Sequence, residues 1–176
     1  MHTPWGPAQT QDTIAPGLVR VSTASHGGYH VSEDRWQEIE RMFPAFKSWA
    51  GRGWLEEDCD WAIAALTFPD QFDTQAIFNA LRTASSWSDA CITPDWLTSD
   101  HGRNVVEIAS GYEATVTGCW ELGGMWAPVD GHPKAWGAML GRGEGQARER
   151  RSVIFTAYPM QQFYSEAELS EATIQT

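Results

Sequence analysis

At 176 residues, with 42 % hydrophobic and 20 % charged side chains, the chain has the material for one buried core, which excludes a fibrous or disordered protein and sets the expectation of a single domain over 1–176. The net charge of −11 is unevenly placed: residues 53–102 hold nine acids against Arg82 alone, a net of −8. That field repels phosphates, so direct nucleic-acid binding is not expected, and no apolar run approaches the roughly 18 residues that a membrane span needs.

The polar start, Met1-His2-Thr3-Pro4-Trp5-Gly6, reads as part of a Pro/Gly-rich arm over 1–16 and not as a signal peptide, so a cytoplasmic protein is expected. Residues 18–22 alternate as a strand, His26-Gly27-Gly28 reads as a turn, and Tyr29-His30-Val31 as the returning strand of a hairpin. Ser32 as N-cap, with Glu33 and Asp34 in the first turn, predicts a helix to about Met42, ahead of Pro44. A second helix is predicted from Trp54 to Leu66, with Leu55, Trp61, Ala62, Ala65 and Leu66 as its apolar stripe. A third starts at the Asp73 cap and turns Ile77, Phe78 and Leu81 inward, and Thr93 with Pro94 opens a short fourth through Leu97.

Beyond this point the pattern changes to strands. Residues 104–110 and 113–122, joined at Gly111-Tyr112 and rich in Val, Ile and Thr, read as a hairpin. Residues 141–146 read as a polar glycine loop and 152–157 as a core strand. Ser165 with Glu168 forms a capping box for a final helix before a short polar C-terminal tail. Strands at both ends and helices between predict an α+β fold, a mainly antiparallel sheet with three to four helices packed on it.

Two segments attract chemistry. The nine residues Ser22–His30 place four hydroxyls, two imidazoles and a Gly-Gly pair in one loop, so that His26 or His30 is the candidate general base and Ser22, Thr23 or Ser25 the candidate nucleophile. No Gly-x-Ser-x-Gly elbow accompanies them, and a glycine pair also serves an ordinary turn. His26 and His30 are four apart, but the glycines between them argue against the helix that would aim both at a metal, and neither metal nor cofactor is expected.

The second segment is acidic. Glu56, Glu57, Asp58 and Asp60 can imitate a row of phosphates if they share a face, and a basic groove on a partner protein would then receive them. Ten tryptophans are several times the usual share; most belong in the core, while Trp5, between Pro4 and Gly6, and Trp126, after a Gly-Gly pair, are candidate exposed anchors. The glycines of 141–145 with Arg148, Arg150 and Arg151 suggest an anion contact, though without the Lys-Ser/Thr of a P-loop. Cys59, Cys91 and Cys119 are odd in number and widely spaced, as reduced thiols are; carboxylates around Cys59 would raise its pKa and mark it as a packed, inert cysteine.

Thr3-Pro4-Trp5-Gly6-Pro7-Ala8-Gln9, Ala15-Pro16-Gly17, Ser22-Thr23, His26-Gly27-Gly28, Ser32 with Arg35, and Glu56-Glu57-Asp58-Cys59 with Trp61-Ala62 together resemble an uncharacterised bacterial domain. That domain is met in proteobacteria, often on plasmids and in phages, and the match spans about residues 3–68. The resemblance implies a mobile-element context and assigns no catalytic residue. Small acidic proteins of such elements often inhibit host defence. The expectation is therefore an acidic binding or inhibitor protein, of anti-CRISPR or antirestriction type, whose partner is a protein with a basic surface. The alternative is a small hydrolase- or transferase-type enzyme centred on His26.

Overall fold

The computed structural model describes the chain except residues 88–90, 144–147, 158, 160 and 175–176; within its elements the side chains of 87, 124–127, 132–134 and 171–174 also lie outside the description. Backbone contacts gather into two compact units, Met1–Glu113 and Ala114–Thr176, and each is described by itself. The fold is α+β with antiparallel sheets, as the sequence predicts, and among the described residues it has six α-helices.

The first unit begins with a small hairpin, β1 (His2–Thr3) and β2 (Gly6–Pro7), where the sequence suggested an irregular arm. Thr3 closes it, donating from Oγ1 to the Gly6 carbonyl at 2.8 Å and accepting the Trp5 amide at 3.1 Å. The arm then continues as β3 (Thr10–Ala15), a polar edge strand paired with β4 (Leu18–Ser22). The sheet is completed by β5 (Gly27–Val31) and β6 (Trp54–Glu56), in the order β3-β4-β5-β6.

Strand period decides the two faces of this sheet. Leu18, Val31 and Leu55 are buried toward the helices, whereas His30, Gly28 and Trp54 belong to the opposite face. There Trp5 lies against Gly28: a Cβ on Gly28 would stand 2.6 Å from the indole Cη2 and 2.2 Å from the Leu55 carbonyl oxygen. Trp5 also meets Trp54 edge to face, with ring centroids 5.8 Å apart. The N-terminal hairpin thus covers the second face of the sheet, and Val21, opposite Gly28 in the register, is buried as well.

On the other face pack α1 (Glu33–Met42), α2 (Trp61–Thr67), a 3₁₀ turn (Pro69–Gln71), α3 (Thr74–Trp87), α4 (Pro94–Thr98) and α5 (Asp100–Val116). All six residues from Ala62 to Thr67 are buried, the property of a helix enclosed on every side. Trp36, Ile39, Phe43, Ile77, Ala80 and Val105 surround it. Ser32 occupies the expected N-cap backbone position of α1 without a capping side-chain bond, while Asp73 and Thr93 accept the Ala76 and Trp96 amides as predicted.

Two expected elements are different. The predicted helix from Trp54 is a strand and a turn before it is a helix: Leu55 pairs with Tyr29, and the Glu56 carboxylate accepts the amides of Asp58 at 2.8 Å and Cys59 at 3.1 Å. The predicted hairpin over 104–122 is mostly the helix α5. Its Val105, Ile108, Ala109 and Tyr112 recur at helical spacing, and packing of that stripe outweighs the strand propensity of Val, Ile and Thr.

The second unit is a sheet in the order β10-β7-β8-β9-β11, made of β7 (Trp120–Val129), β8 (His132–Arg142), β9 (Glu149–Phe155), β10 (Phe163–Tyr164) and β11 (Thr173–Ile174), with α6 (Glu166–Ala172). Trp120, Leu140, Val153, Phe155, Tyr164 and Leu169 form its core. The capping box is present: Ser165 Oγ and Glu168 Oε2 are 2.7 Å apart, and the Ser165 amide donates to the same carboxylate.

Two glycines test this architecture in opposite directions. Gly28→Ala forces a methyl into a backbone carbonyl and is expected to cost about 1–3 kcal/mol in urea unfolding. Gly111→Ala, in open space within α5, is expected to stabilise by about 0.5–1 kcal/mol, a gain that a hairpin turn at this position would not give.

Candidate functional site

Pairing of β5 with β6 brings together the two segments that stood apart in the sequence. Gly28 lies opposite Glu56, and the Glu57 amide donates to the Gly27 carbonyl at 3.1 Å. A Cβ on Gly27 would stand 2.5 Å from Glu57 Oε2. The glycine pair therefore admits the acidic turn on one side and Trp5 on the other.

Only part of that turn faces solvent. Glu57 and Asp58 are exposed; Glu56 is half-buried with its carboxylate turned onto backbone amides. Asp60, expected on the acidic surface, is 0 % exposed. Its Oδ2 accepts from Ser48 Oγ and from the Trp49 amide, both at 2.9 Å, and its Oδ1 has no partner among the described residues. Burial pushes the Asp60 carboxyl above its ordinary pKa, against the opposing pull of those bonds, and burial also raises Glu56.

The Asp60 clamp holds one end of the loop 48–53. Arg52 holds the other, with Nη2 2.6 Å from Glu33 Oε1 and Nη1 on Glu40, whose carboxylate also accepts the Trp36 indole N–H at 2.9 Å. Between these anchors Trp49 is 84 % exposed. Sequence reasoning passed over this tryptophan, although the Gly51-Arg52-Gly53 that follows it is the kind of signal that singled out Trp5. Trp5 itself is half-buried and packs within the fold, so it is not the exposed anchor expected. Trp126 pairs with Ala138 in β7, and its side chain lies outside the described residues.

The Ser22 and Thr23 hydroxyls are occupied in the hairpin. Ser22 Oγ meets Thr10 Oγ1 at 2.7 Å, and Thr23 Oγ1 donates to the His26 carbonyl while accepting the Ser25 and His26 amides. Ser25 and His26 are exposed, and neither side chain bonds to another described residue. His30 stacks on Trp54, ring centroids 4.6 Å apart. Four residues of extended chain set the Cα atoms of the two histidines about 13 Å apart, so the backbone does not bring them together.

Cys59 is half-buried; burial, then Glu56, Asp60 and Asp58, push its thiol pKa up and suppress the thiolate. In the second unit the arginines are largely answered internally. Arg148 pairs with Glu121 at 2.8 Å, Arg151 with Glu166 at 2.7 Å and Arg142 with Glu149 at 2.7 Å, and Arg142 lies over the Trp120 ring. The glycine loop beyond Gly143 falls on residues outside the description.

Nearly every residue of the early motif now has a structural duty. Arg35 Nε donates to the Pro16 carbonyl at 2.6 Å, and Ser32 sits so close to Gly17 that a Cβ there would be 2.3 Å from its hydroxyl. The family model of a domain of unknown function, DUF7007, matches residues 1–111. The chain belongs to that family. The DUF7007 match extends past the residues 3–68 that carried the resemblance and ends two residues short of the first unit's boundary at Glu113. No curated protein and no solved structure matches the chain.

The buried carboxylate predicts a pH signature. A carboxyl whose pKa is raised by folding favours the folded state below its unfolded pKa, and that contribution is lost as pH rises through the folded value. Asp60→Asn removes this loss, so its stability relative to the parent should climb as pH rises above about 4, the ordinary range of an aspartate, in urea unfolding. Parallel pH profiles would contradict the assignment. Asp60→Ala strands the Trp49 amide, while Ser48 keeps the Trp54 carbonyl as acceptor, and should cost about 1–3 kcal/mol.

Proposed function

We propose that this chain is a protein-binding module that engages a basic partner through Trp49 and the exposed carboxylates Glu57 and Asp58. The observation that carries the reading is the presentation of Trp49, 84 % exposed on a loop fixed by Asp60 at one end and Arg52 at the other. A large aromatic held in water at such exposure gains from burial against a partner, and a fixed loop lowers the ordering cost of doing so. Asp60 ties the Trp49 backbone to a point two residues beyond Asp58, so anchor and charge share one neighbourhood. In a bacterial mobile-element setting, the partner class that fits is the basic groove of a nucleic-acid-binding defence enzyme, and the role is inhibition by occupying that groove. The net charge of −8 over residues 53–102 steers such an encounter.

The test is affinity capture from a bacterial lysate at low and high salt, with the parent chain, Trp49→Ala and the pair Glu57→Lys, Asp58→Lys. The parent should retain a basic protein that salt releases, and both variants should lose it while unfolding at the parent's midpoint, since all three side chains are exposed. The captured enzyme, once purified, should lose nucleic-acid cleavage on addition of the parent chain. Equal retention by all three proteins would overturn the reading.

A further inference from the structure

Away from Trp49, the first unit contains a cleft of about 810 Å³ whose walls include Glu38, Arg41 and Met42 of α1, Asp95 and Trp96 of α4, and His101 of α5. That volume is in the range of small-molecule sites, about 300–1,000 Å³. Its imidazole is fixed from two directions. Gly102, next in the chain, approaches the Trp96 carbonyl so closely that a Cβ would lie 2.0 Å from it, and Ser99 Oγ donates to that carbonyl while accepting the Gly102 amide at 3.0 Å. His101 Nε2 lies 2.7 Å from the Leu66 carbonyl. A carbonyl only accepts, so Nε2 carries a proton, and Nδ1, which has no partner among the described residues, accepts in the tautomer that leaves it bare.

The remaining charges are equally uncommitted. Arg41, Glu38 and Asp95 form no ion pair or side-chain hydrogen bond with the described residues. Trp96 is buried and, with Met42, gives the cleft an apolar wall. One cation, two carboxylates, a fixed imidazole acceptor and an apolar wall make a set that no simple anion or cation would use in full.

We propose that this cleft binds an apolar amino acid in its zwitterionic form. The carboxylate pairs with the Arg41 guanidinium, the ammonium donates to His101 Nδ1 in the field of Glu38 and Asp95, and the side chain lies against Met42 and Trp96. Arg41 suits the anion because its planar fork matches a carboxylate.

The experiment is calorimetric titration of the full chain with L-phenylalanine and L-leucine, beside phenethylamine and phenylacetate, which each lack one charge. The amino acids should bind saturably and each truncated compound at least about tenfold more weakly. Arg41→Gln should weaken binding by a similar factor with no change in the unfolding midpoint, since Arg41 is exposed and unpaired. His101→Gln should weaken it as well; Arg41→Gln keeps the test decisive if loss of the Leu66 contact unfolds that variant. Absence of saturable binding by both amino acids, equal binding of the truncated compounds, or unchanged affinity in Arg41→Gln would overturn the proposal.

Discussion

The first unit depends on how closely its neighbours approach the backbone of β5. At Gly27 and Gly28 a carboxylate, a carbonyl and an indole all stand where a side chain would be. Such spacing lets β6 pair, seats the N-terminal hairpin on the sheet's second face, and lets the acidic turn follow directly. Any other residue at Gly28 must displace backbone, which a close-packed interior resists. The His-Gly-Gly run that looks chemical is the mechanical centre of the unit.

Asp60 provides a second organising contact of a different kind. A buried carboxylate is costly unless bonded, and this one holds the start of the loop that displays Trp49. The acidic run thus divides by role: Glu56 caps its own turn, Asp60 fixes a remote loop, and Glu57 and Asp58 remain for the solvent. Charge that looks uniform along residues 56–60 is half structural and half surface.

The two surfaces of the first unit differ in what they ask of a ligand. The Trp49 loop offers one large aromatic beside negative charge and suits a broad basic face. The His101 cleft is concave, carries both signs of charge and suits something small. In the second unit, by contrast, Arg142, Arg148 and Arg151 are paired with glutamates, so the basic sequence cluster does not add up to a free positive patch. Neutralisation across strands removes the charge that a linear reading counts.

Local signals were legible where a single turn or cap decides the outcome. The β4–β5 hairpin, the α1 start, the Asp73 and Thr93 caps, the Ser165 capping box and the α+β class follow from residues within a few positions of one another. What the tertiary structure alone decided is everything set by contacts distant in sequence. These include α5 in place of a hairpin, a strand at Trp54 in place of a helix, Trp5 packed while Trp49 is exposed, and Asp60 buried beneath an apparently acidic surface. Propensity and charge are properties of one residue, whereas burial depends on which remote segments pack against it, and burying a large side chain outweighs the preference of its backbone for helix or strand.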